Sequence, residues 1–569
     1  MKLVVYLLLL CTVSMLQAQT MIEGIIIDTK QTPIGYATIG IKGTTKSAMS
    51  NESGNFKLSL NKLPQIVIIS AIGYNAMEVE INSTNITVSL TPKTYAINDI
   101  IINSDNAYQV FFKAYKKLLK PSYKYYNGNV FYRLVTKNDS IYTELMEGFY
   151  EAQVAPTGFC DWRLKHGRYA MAEDYKQQQY VVSIDLSALI RYVDITNDHQ
   201  SNVKFPLFPF RVYAKKLYHF YNRGSVYLNG KELSKIEFIP KVETRESFSG
   251  IVYIDEKTSN LHRLETSFNA QKSLLITSDF GKQPAYNLSI RYIIDFAESS
   301  THELLLSYIN IDLQYEYAHL QNAKKINTQI QCVVYDKNAS SKNRPQLMEI
   351  ANMPSDYAAI RTRLYIKPFW AENTILTQTD TEKSITINFE QKGLFGQAYN
   401  RLDDTLAILK EGFALLNEKV NHLIVSIREE PATSKTPNCI TLARSGMEKA
   451  LLCSQLFVSH NCYKDSFYVL VLPLLDTTQT WISDTVKQED SFSFIIGLYS
   501  KLTKLHAQLL HKQLTQISNP CEHDESIYQL TVKANDELYT VQQELLTDCW
   551  AGDSFKFWVQ YLEKLEKEN

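Results

Sequence analysis

The sequence predicts three folded parts: an N-terminal β-sandwich over residues 21–92, a β-sheet domain with one short helix over residues 107–390, and an α-helical bundle over residues 391–569. Three patterns support this division. Residues 21–92 show short strand patterns separated by Gly and Pro turns. Residues 107–390 contain long alternating runs of Val, Ile, Tyr and Phe, and residues 391–569 have apolar residues at every third or fourth position. At roughly 100–200 residues per domain, 569 residues are enough for several independent cores.

The composition narrows the class of partner. The sequence has 59 Lys and Arg against 60 Asp and Glu, so its formal net charge of -1 provides no long-range field to attract a polyanion. We therefore expect no nucleic-acid partner. The 36 tyrosines combine apolar rings with a polar end, which favours half-buried strands and surfaces that contact another molecule.

Residues 1–18 have the features of a signal peptide. Lys2 precedes the apolar stretch Leu3–Leu10, and the small residue Ala18 provides a cleavage site before Gln19. The alternative is a lipoprotein signal that ends at Cys11, although the preceding residue, Leu10, is larger than such a signal requires. Later apolar stretches fall short of the ~20 residues that cross a bilayer as a helix. We therefore expect an exported protein without a transmembrane span, peripheral to a membrane at most.

Residues 21–92 contain six strand patterns between turns, which is typical of a small β-sandwich. Gly54 follows Asn51-Glu52-Ser53 and precedes the alternating Phe56 and Leu58, so we expect it at positive φ in a turn. The strands predicted are Ile22–Ile27, Tyr36–Ile41, Asn55–Leu60, Gln65–Ile72, Met77–Ile81 and Asn85–Leu90.

This part of the chain also resembles a known family. The motifs Pro33-Ile34-Gly35-Tyr36-Ala37-Thr38-Ile39, Ser50-Asn51-Glu52-Ser53-Gly54-Asn55-Phe56 and Ile69-Ser70-Ala71-Ile72-Gly73-Tyr74 are similar to those of the carboxypeptidase-like regulatory domain. The resemblance implies a seven-stranded, prealbumin-like sandwich without catalytic activity. Such domains occur at the N-termini of cell-envelope proteins, including TonB-dependent outer-membrane transporters.

An amphipathic helix is expected over Ala107–Lys120. Its apolar residues recur at helical spacing, and the lysines occupy the other side. The alternative is a basic patch for nucleic acid, with nearby tyrosines stacking on bases. The neutral overall charge favours a helix that packs on a sheet and leaves its lysines in water. These lysines are Lys113, Lys116, Lys117 and Lys120.

The middle domain has strand patterns from Asn129 to about Glu390, with a hairpin turn at Asn229-Gly230. The run Ile236–Lys241 and the run Phe248–Asp255 are similar to envelope proteins that combine this regulatory domain with a lipoprotein-carrier type of sheet. That resemblance implies a curved antiparallel sheet, and with it an apolar groove for a lipid chain or a partner segment. The helix Ala107–Lys120 filling the concave side is the alternative to an open groove.

The C-terminal part changes to helical periodicity. Four helices are predicted, at Gln391–Glu429, Leu442–His460, Phe492–Gln516 and Ser526–Leu546, with a Pro-containing linker at Pro431–Pro437. Larger relatives of the middle domain continue into a membrane barrel. Because this chain continues into helices, we transfer no pore function to it.

Seven cysteines remain after removal of the signal peptide, so at least one is unpaired. Export permits disulfides, but the spacing fixes no connectivity and leaves buried free thiols as an equal alternative. The seven are Cys160, Cys332, Cys439, Cys453, Cys462, Cys521 and Cys549.

Two groups of residues invite a metal-site interpretation. His262 and Glu265 have H-x-x-E spacing, but on a strand they would point to opposite faces. His506 and His511 lie five apart on a predicted helix, about 140° apart around its axis, and the run Cys521–Glu525, with His523, follows in a loop that starts the next helix. The sequence lacks G-x-S-x-G, H-E-x-x-H, Walker A and G-x-G-x-x-G motifs. We therefore predict no catalytic residue, no cofactor and no metal ligand.

These observations lead to one hypothesis and one competitor. The hypothesis is a non-enzymatic cell-envelope protein, in the periplasm or associated with the outer membrane, that binds or scaffolds a partner protein, a lipid or a glycan. The competitor is an envelope hydrolase with an active site between the middle and C-terminal domains.

Overall fold

The computed structural model describes residues 20–44, 46–93, 104–119, 126–172, 195–196, 206–228, 231–242, 247–277, 284–298, 304–319, 322–336, 360, 364–392, 394–395, 406–408, 439–444, 447–464, 466–476, 480–487, 489–551 and 554–568. The expected signal peptide, including its cleavage site, lies outside these residues. The chain divides into two compact units. The first comprises Met1–Lys165, Met171–Asn352 and Trp370–Lys392, and the second comprises His166–Ala170, Met353–Phe369 and Gly393–Asn569.

The N-terminal part of the first unit is a seven-stranded β-sandwich, as predicted. One sheet has the order β4-β1-β7 and the other the order β3-β2-β5-β6. Alternate residues such as Ile26, Phe56 and Val67 are buried between the two sheets. The sequence missed only the shortest strand, β3. The strands are β1 Thr20–Asp28, β2 Thr38–Ile41, β3 Ser47–Met49, β4 Asn55–Leu60, β5 Gln65–Ser70, β6 Met77–Ile81 and β7 Asn85–Leu90.

Gly54 has the positive φ that its turn requires, at 76°. The side chain of Asn51 accepts hydrogen bonds from the backbone N–H groups of Ser53 and Asn55, each at 3.0 Å, and closes the turn before β4. A Cβ atom on Gly54 would lie 2.4 Å from the carbonyl oxygen of Ile26. The turn therefore requires glycine for both its conformation and the space around it.

The remainder of the first unit is built on a ten-stranded antiparallel sheet with the order β10-β9-β8-β17-β16-β15-β14-β13-β12-β11. Leu228 pairs with Lys231, which confirms the hairpin predicted at Asn229-Gly230, although those two turn residues lie outside the description. The strands are β8 Tyr126–Asn138, β9 Ile141–Ala155, β10 Gly158–Met171, β11 Tyr218–Leu228, β12 Lys231–Pro240, β13 Ser249–Asp255, β14 Asn260–Thr277, β15 Pro284–Glu298, β16 Leu304–His319 and β17 Asn322–Asp336.

Helix α1 (Ser104–Leu118) confirms the predicted amphipathic helix and covers part of the apolar face of this sheet. The ring of Phe111 lies 4.7 Å from that of Phe220 on β11, and the ring of Phe208 lies 4.7 Å from that of Phe248. These side chains are buried. Over β11–β15 the protein therefore fills this face with its own side chains, and the prediction of an open apolar groove is wrong for these strands.

Helix α2 (Ala214–Leu217) lies directly before β11, and two further short helices, α3 (Lys367–Glu372) and α4 (Asp380–Gln391), follow the sheet in sequence. Helix α4 begins with a capping box. The Thr379 hydroxyl accepts from the Glu382 N–H at 3.2 Å, and the Glu382 carboxylate accepts from the Thr379 N–H at 2.7 Å. This reciprocal pair satisfies two of the free N–H groups at the helix start and fixes its position.

The second unit combines a sheet with helices, so the prediction of a C-terminal helical bundle is not confirmed. The two long helices predicted there are present. The elements are β18 Leu406–Ile408, β19 Cys439–Arg444, β20 Met447–Tyr463, β21 Ser466–Asp476, β22 Trp481–Ile482, α5 Asp484–Lys487, α6 Asp490–Thr515, the 3₁₀ turn Pro520–Glu522, α7 Asp524–Trp550 and α8 Phe555–Glu568.

The helix predicted at Leu442–His460 is wrong, because that segment forms β19 and most of β20. Apolar residues there are spaced by both two and four positions, so the pattern suits either period. Pairing decides between them: Cys439 faces Cys453, and Tyr463 faces Ser466 at the hairpin to β21. The helix predicted at Gln391–Glu429 lies mostly outside the described residues, and Leu406–Ile408 within it form a strand.

Two disulfides resolve the pairing that the sequence left open. Cys439 bonds to Cys453 across paired strands, and Cys462 bonds to Cys521 before α7. Cys332 and Cys549 are buried free thiols. The side chain of Cys160 lies outside the description. None of the described helices is long and apolar enough to cross a membrane.

Candidate binding site

The register of four neighbouring strands builds a polar surface on the face of the ten-stranded sheet opposite α1. Residues paired across antiparallel strands point to the same side, so each set of partners forms a row across the sheet. One row contains Val135, Gln329, Asp312 and Arg291, and the next contains Lys137, Asn327, Gln314 and Ser289. These two rows form the floor of the candidate site.

A cavity of about 380 Å³ lies over this floor. Its walls come from the sandwich, through Tyr36, Asn51 and Glu52, and from the segment Leu376–Glu382 that leads into α4. Tyr142 on β9 contributes a further aromatic side chain to the lining. The cavity is therefore enclosed by three parts of the first unit that are distant in sequence.

The wall segment is fixed to both the sandwich and the sheet. The N–H of Met49 donates to the carbonyl of Ile375 at 3.4 Å, and the Asn51 side-chain amide donates to the carbonyl of Gln378 at 3.2 Å. From the sheet, the Arg133 guanidinium donates to the carbonyl of Leu376 at 2.8 Å. These bonds hold the wall in place over the floor.

Arg133 is the centre of a buried charge network. Its side chain is 3% exposed and its Nε lies 2.6 Å from Oε1 of Glu147, which is 1% exposed. The carboxylate of Glu382 lies 3.7 Å from Nη1. Burial alone would lower the pKa of Arg133, but the charges of Glu147 and Glu382 outweigh it and raise that pKa. Arg133 is therefore a permanently charged anchor between sheet, wall segment and α4.

Tyr36 is held in an unusual conformation at the cavity wall. Its φ is 58°, in the left-handed region, and its ring stacks on that of Tyr308 with the centroids 5.6 Å apart. Burial, followed by the charges of Glu52 and Asp312, raises its pKa to about 12, so the hydroxyl keeps its proton at neutral pH. Backbone strain of this kind persists only where surrounding contacts enforce it, and it is concentrated at functional sites.

The charges of the lining balance. Three cationic side chains (Arg133, Lys137, Arg291) face three acidic ones (Glu52, Asp312, Glu382), so the formal charge of the lining is zero. The Asp312 carboxylate accepts hydrogen bonds from the amides of Asn310 at 3.1 Å and Gln329 at 3.5 Å. This balance suits a ligand recognised mainly through hydrogen bonds.

His262 and Glu265 lie apart from this cavity. His262 is buried while Glu265 is half-buried, in agreement with side chains on opposite faces of β14. The His262 Nε2 lies 3.9 Å from the Glu298 carboxylate, and burial lowers the pKa of this imidazole. Glu265 instead lies 3.5 Å from Arg263. His262 and Glu265, the two residues of the H-x-x-E pattern, therefore do not point to one common site.

The second predicted cluster also disperses. His506 is half-buried on α6, His511 is exposed further along the same helix, and Cys521 is bonded to Cys462. Burial lowers the pKa of His506, with Glu537 acting in the opposite direction. Among the described residues no three His, Cys, Asp or Glu side chains are grouped so that they could hold a metal ion.

The sequence reading missed the cavity. One sequence pattern could have indicated it: polar residues occupy alternate positions within otherwise apolar strands. They are Asn310, Asp312 and Gln314 on β16, and Asn327, Gln329 and Gln331 on β17. Period-two polarity predicts a polar sheet face, but it reads equally well as a face turned to water. The sandwich and the wall segment together convert that face into a cavity.

Comparison with known proteins supports the N-terminal assignment. Residues 22–102 match the family model of the CarboxypepD_reg-like domain. This part of the chain is therefore similar to CarboxypepD_reg-like domains. A curated relative, the TonB-dependent receptor SusC of Bacteroides thetaiotaomicron, is 31% identical over 84 residues, which are 15% of this chain. The chain spans only 8% of the length of that receptor.

Residues 183–322 match a family of unknown function, DUF5686. Similar solved structures include an outer membrane lipoprotein-sorting protein domain from Vibrio parahaemolyticus, with 12% identity and a TM-score of 0.20, covering 42% of this chain and 96% of that one. A LolA superfamily protein from Nitrosomonas europaea has 12% identity and a TM-score of 0.17, covering 40% of this chain and 94% of that one.

Proposed function

We propose that the protein is an exported, non-enzymatic component of the cell envelope that binds a small polar molecule in the cavity between its CarboxypepD_reg-like domain and its ten-stranded sheet. The observation that carries the proposal is the construction of this cavity. Its walls and floor come from three segments, and buried or partly buried hydrogen bonds join those segments. Sites preformed in this way bind ligands without a large ordering cost.

Two of the three lining carboxylates have structural partners, which supports binding over catalysis. Glu382 closes the capping box of α4 and faces Arg133, while Asp312 accepts bonds from two amides. A general base needs an oxygen directed at a substrate proton. Here the hydrogen bonds direct these oxygens toward the protein, which suits a role in maintaining the shape of the cavity.

A scaffold function is compatible with the same contacts. The sandwich is joined to the sheet at a second place, where the N–H of Gly73 donates to the carbonyl of Tyr227 at 3.0 Å and the ammonium of Lys93 lies 3.9 Å from the centroid of the Tyr227 ring. Two separate attachments restrict rotation of the sandwich on the sheet. They would present both surfaces to an envelope partner in one fixed arrangement.

Export is tested by expressing the full chain in a Gram-negative host, fractionating the cells and sequencing the N-terminus of the purified protein. We expect a mature chain that begins at Gln19 and is found outside the cytoplasm. An intact Met1 in the cytoplasmic fraction would contradict export. The substitution Cys11→Ser distinguishes cleavage after Ala18 from the lipoprotein alternative. Cleavage after Ala18 does not require the Cys11 thiol, so the variant should still begin at Gln19.

The proposal that the protein is not an enzyme is tested by assaying the mature chain against peptidase, esterase and glycosidase substrates. We expect no turnover above that of the Arg133→Met variant, in which the wall of the cavity loses its anchor. Turnover by the native chain would contradict the non-enzymatic proposal and support the hydrolase alternative.

A further inference from the structure

We infer that the ligand of this cavity is an uncharged carbohydrate of one or two sugar rings, an inference that rests on the proposed binding function. Three properties of the lining lead to this chemical class: the separation of its cations, the amides between them, and the aromatic rings at its edge.

The cations are spread over the floor rather than clustered at one point. Lys137 and Arg291 stand at opposite ends of the floor, on β8 and β15, which are separated by β17 and β16. Three strand spacings place their Cα atoms at least ~14 Å apart. Recognition of a carboxylate or phosphate requires donors that converge within hydrogen-bond distance. Arg133, the third cation, already pairs with Glu147.

The centre of the floor is formed by three side-chain amides and the carboxylate of Asp312. Gln314, Asn327 and Gln329 lie between the two cations, in adjacent positions of the two rows. An amide offers two donors and one acceptor oxygen, and a sugar hydroxyl both donates and accepts. A set of neighbouring amides therefore matches neighbouring hydroxyls, which need both donors and acceptors.

Aromatic side chains stand at the edge of the floor. The Tyr36 ring is backed by Tyr308, and the Lys137 ammonium lies 4.4 Å from the centroid of the Tyr142 ring. A sugar ring has an apolar face of C–H groups beside its hydroxyls. Tyrosine, apolar in its ring and polar at its end, suits such a surface. A cavity of about 380 Å³ falls within the ~300–1,000 Å³ range of small-molecule sites.

The test uses the full mature chain and ligand-observed saturation-transfer NMR with named probes. The neutral probes are maltose, cellobiose and chitobiose, and the charged probes, both smaller, are the anion glucuronic acid and the zwitterion dialanine. We expect transfer to at least one neutral sugar. The variants Gln329→Leu and Gln314→Leu should each weaken its binding by about tenfold, through loss of one or two hydrogen bonds.

Two variants and one control keep the result interpretable. Gln329 is half-buried, whereas Gln314 is exposed, so Gln314→Leu tests binding even if Gln329→Leu disturbs the sheet. Gln109→Leu, at an exposed position of α1 outside the cavity, is the matched control and should leave binding unchanged.

The outcomes separate the ligand class from the binding function. If only a charged probe binds, and both floor variants weaken it, the cavity is a binding site and the carbohydrate inference is wrong. If a neutral sugar binds with equal strength to native chain and floor variants, the sugar binds elsewhere and the inference is also wrong. If no probe binds, both the inference and the proposed small-molecule site are rejected.

Discussion

Replacement of Arg133 by methionine removes the charge at the centre of the cavity wall while keeping most of the side-chain volume. The change removes the cation that lies 2.6 Å from the buried carboxylate of Glu147, and it removes the bond to the carbonyl of Leu376. Breaking a buried ion pair from one side costs ~3–5 kcal/mol, because a charge remains in a poorly solvated position. We expect the free energy of unfolding of the sheet around β8 and β9 to fall by that amount.

Hydrogen-exchange mass spectrometry of peptides from β8 and β9 measures this loss locally, independently of the second unit. At ~1.4 kcal/mol for each factor of ten, a loss of ~3–5 kcal/mol accelerates exchange at least a hundredfold. The double substitution Arg133→Met with Glu147→Met should recover most of the stability, because it removes both charges.

The matched control is Arg223→Met. Arg223 pairs with Glu237 at 2.5 Å, but the two side chains are 39% and 26% exposed. Exposed pairs contribute ~0–1 kcal/mol, so exchange there should change by less than tenfold. If Arg133→Met behaves like this control, the buried network does not anchor the wall, and our account of the cavity fails.

Three further changes test other parts of the structure. Gly54→Val should destabilise the sandwich by at least ~2 kcal/mol in thermal melts. Valine is strained at this positive φ, and its Cβ atom would lie 2.4 Å from the carbonyl oxygen of Ile26. Replacing Cys462 and Cys521 by serine should lower the stability of the second unit by ~4 kcal/mol in urea unfolding, because their disulfide closes a separation of 59 residues. His506→Gln should reduce the loss of stability on acidification. Since burial lowers the folded-state pKa of His506, the unfolded chain binds the proton first, and stability falls as the pH drops below ~6.5.

Each of these changes has a control elsewhere in the chain. Gly43 also has positive φ, but a Cβ atom there would meet nothing within 4 Å, so Gly43→Val should cost less than Gly54→Val. Removing the pair Cys439 and Cys453, 14 residues apart, should cost only ~3 kcal/mol. His511→Gln changes an exposed residue and should leave the urea midpoint unaffected between pH 5 and 7. Equal effects within any of these comparisons would contradict the corresponding argument.

Local sequence patterns predicted the elements that depend on neighbouring residues. The turn at Gly54, the helix α1 and the long helices α6 and α7 each have a signal within a few residues: a glycine that must adopt positive φ, or apolar positions with a clear helical period. The segment that forms β19 and β20 has no such signal, because its apolar spacing suits a strand or a helix. There the pairing with β21 and β22 determines the structure.

The candidate site could not be predicted for a related reason. Its floor places Lys137 beside Asn327, residues separated by most of the middle domain, and nothing local specifies that register. The wall depends on a bond from Arg133 to the carbonyl of Leu376, a backbone group that no motif reveals. His262, which suggested a metal site when considered by its spacing alone, is buried and does not line the cavity.

The order of strands in the large sheet has a consequence for how the chain acquires its structure during synthesis. β8 is completed by residue 138, yet its neighbour β17 begins only at residue 322, while the strands β11 to β17 pair successively with the next one along the chain. The growing polypeptide can therefore assemble the N-terminal sandwich and the hairpin of β8 and β9 early. It must carry an unpaired edge of β8 until nearly two hundred more residues have been made. Exposed strand edges promote aggregation, so this interval is the period in which the nascent protein most needs a chaperone.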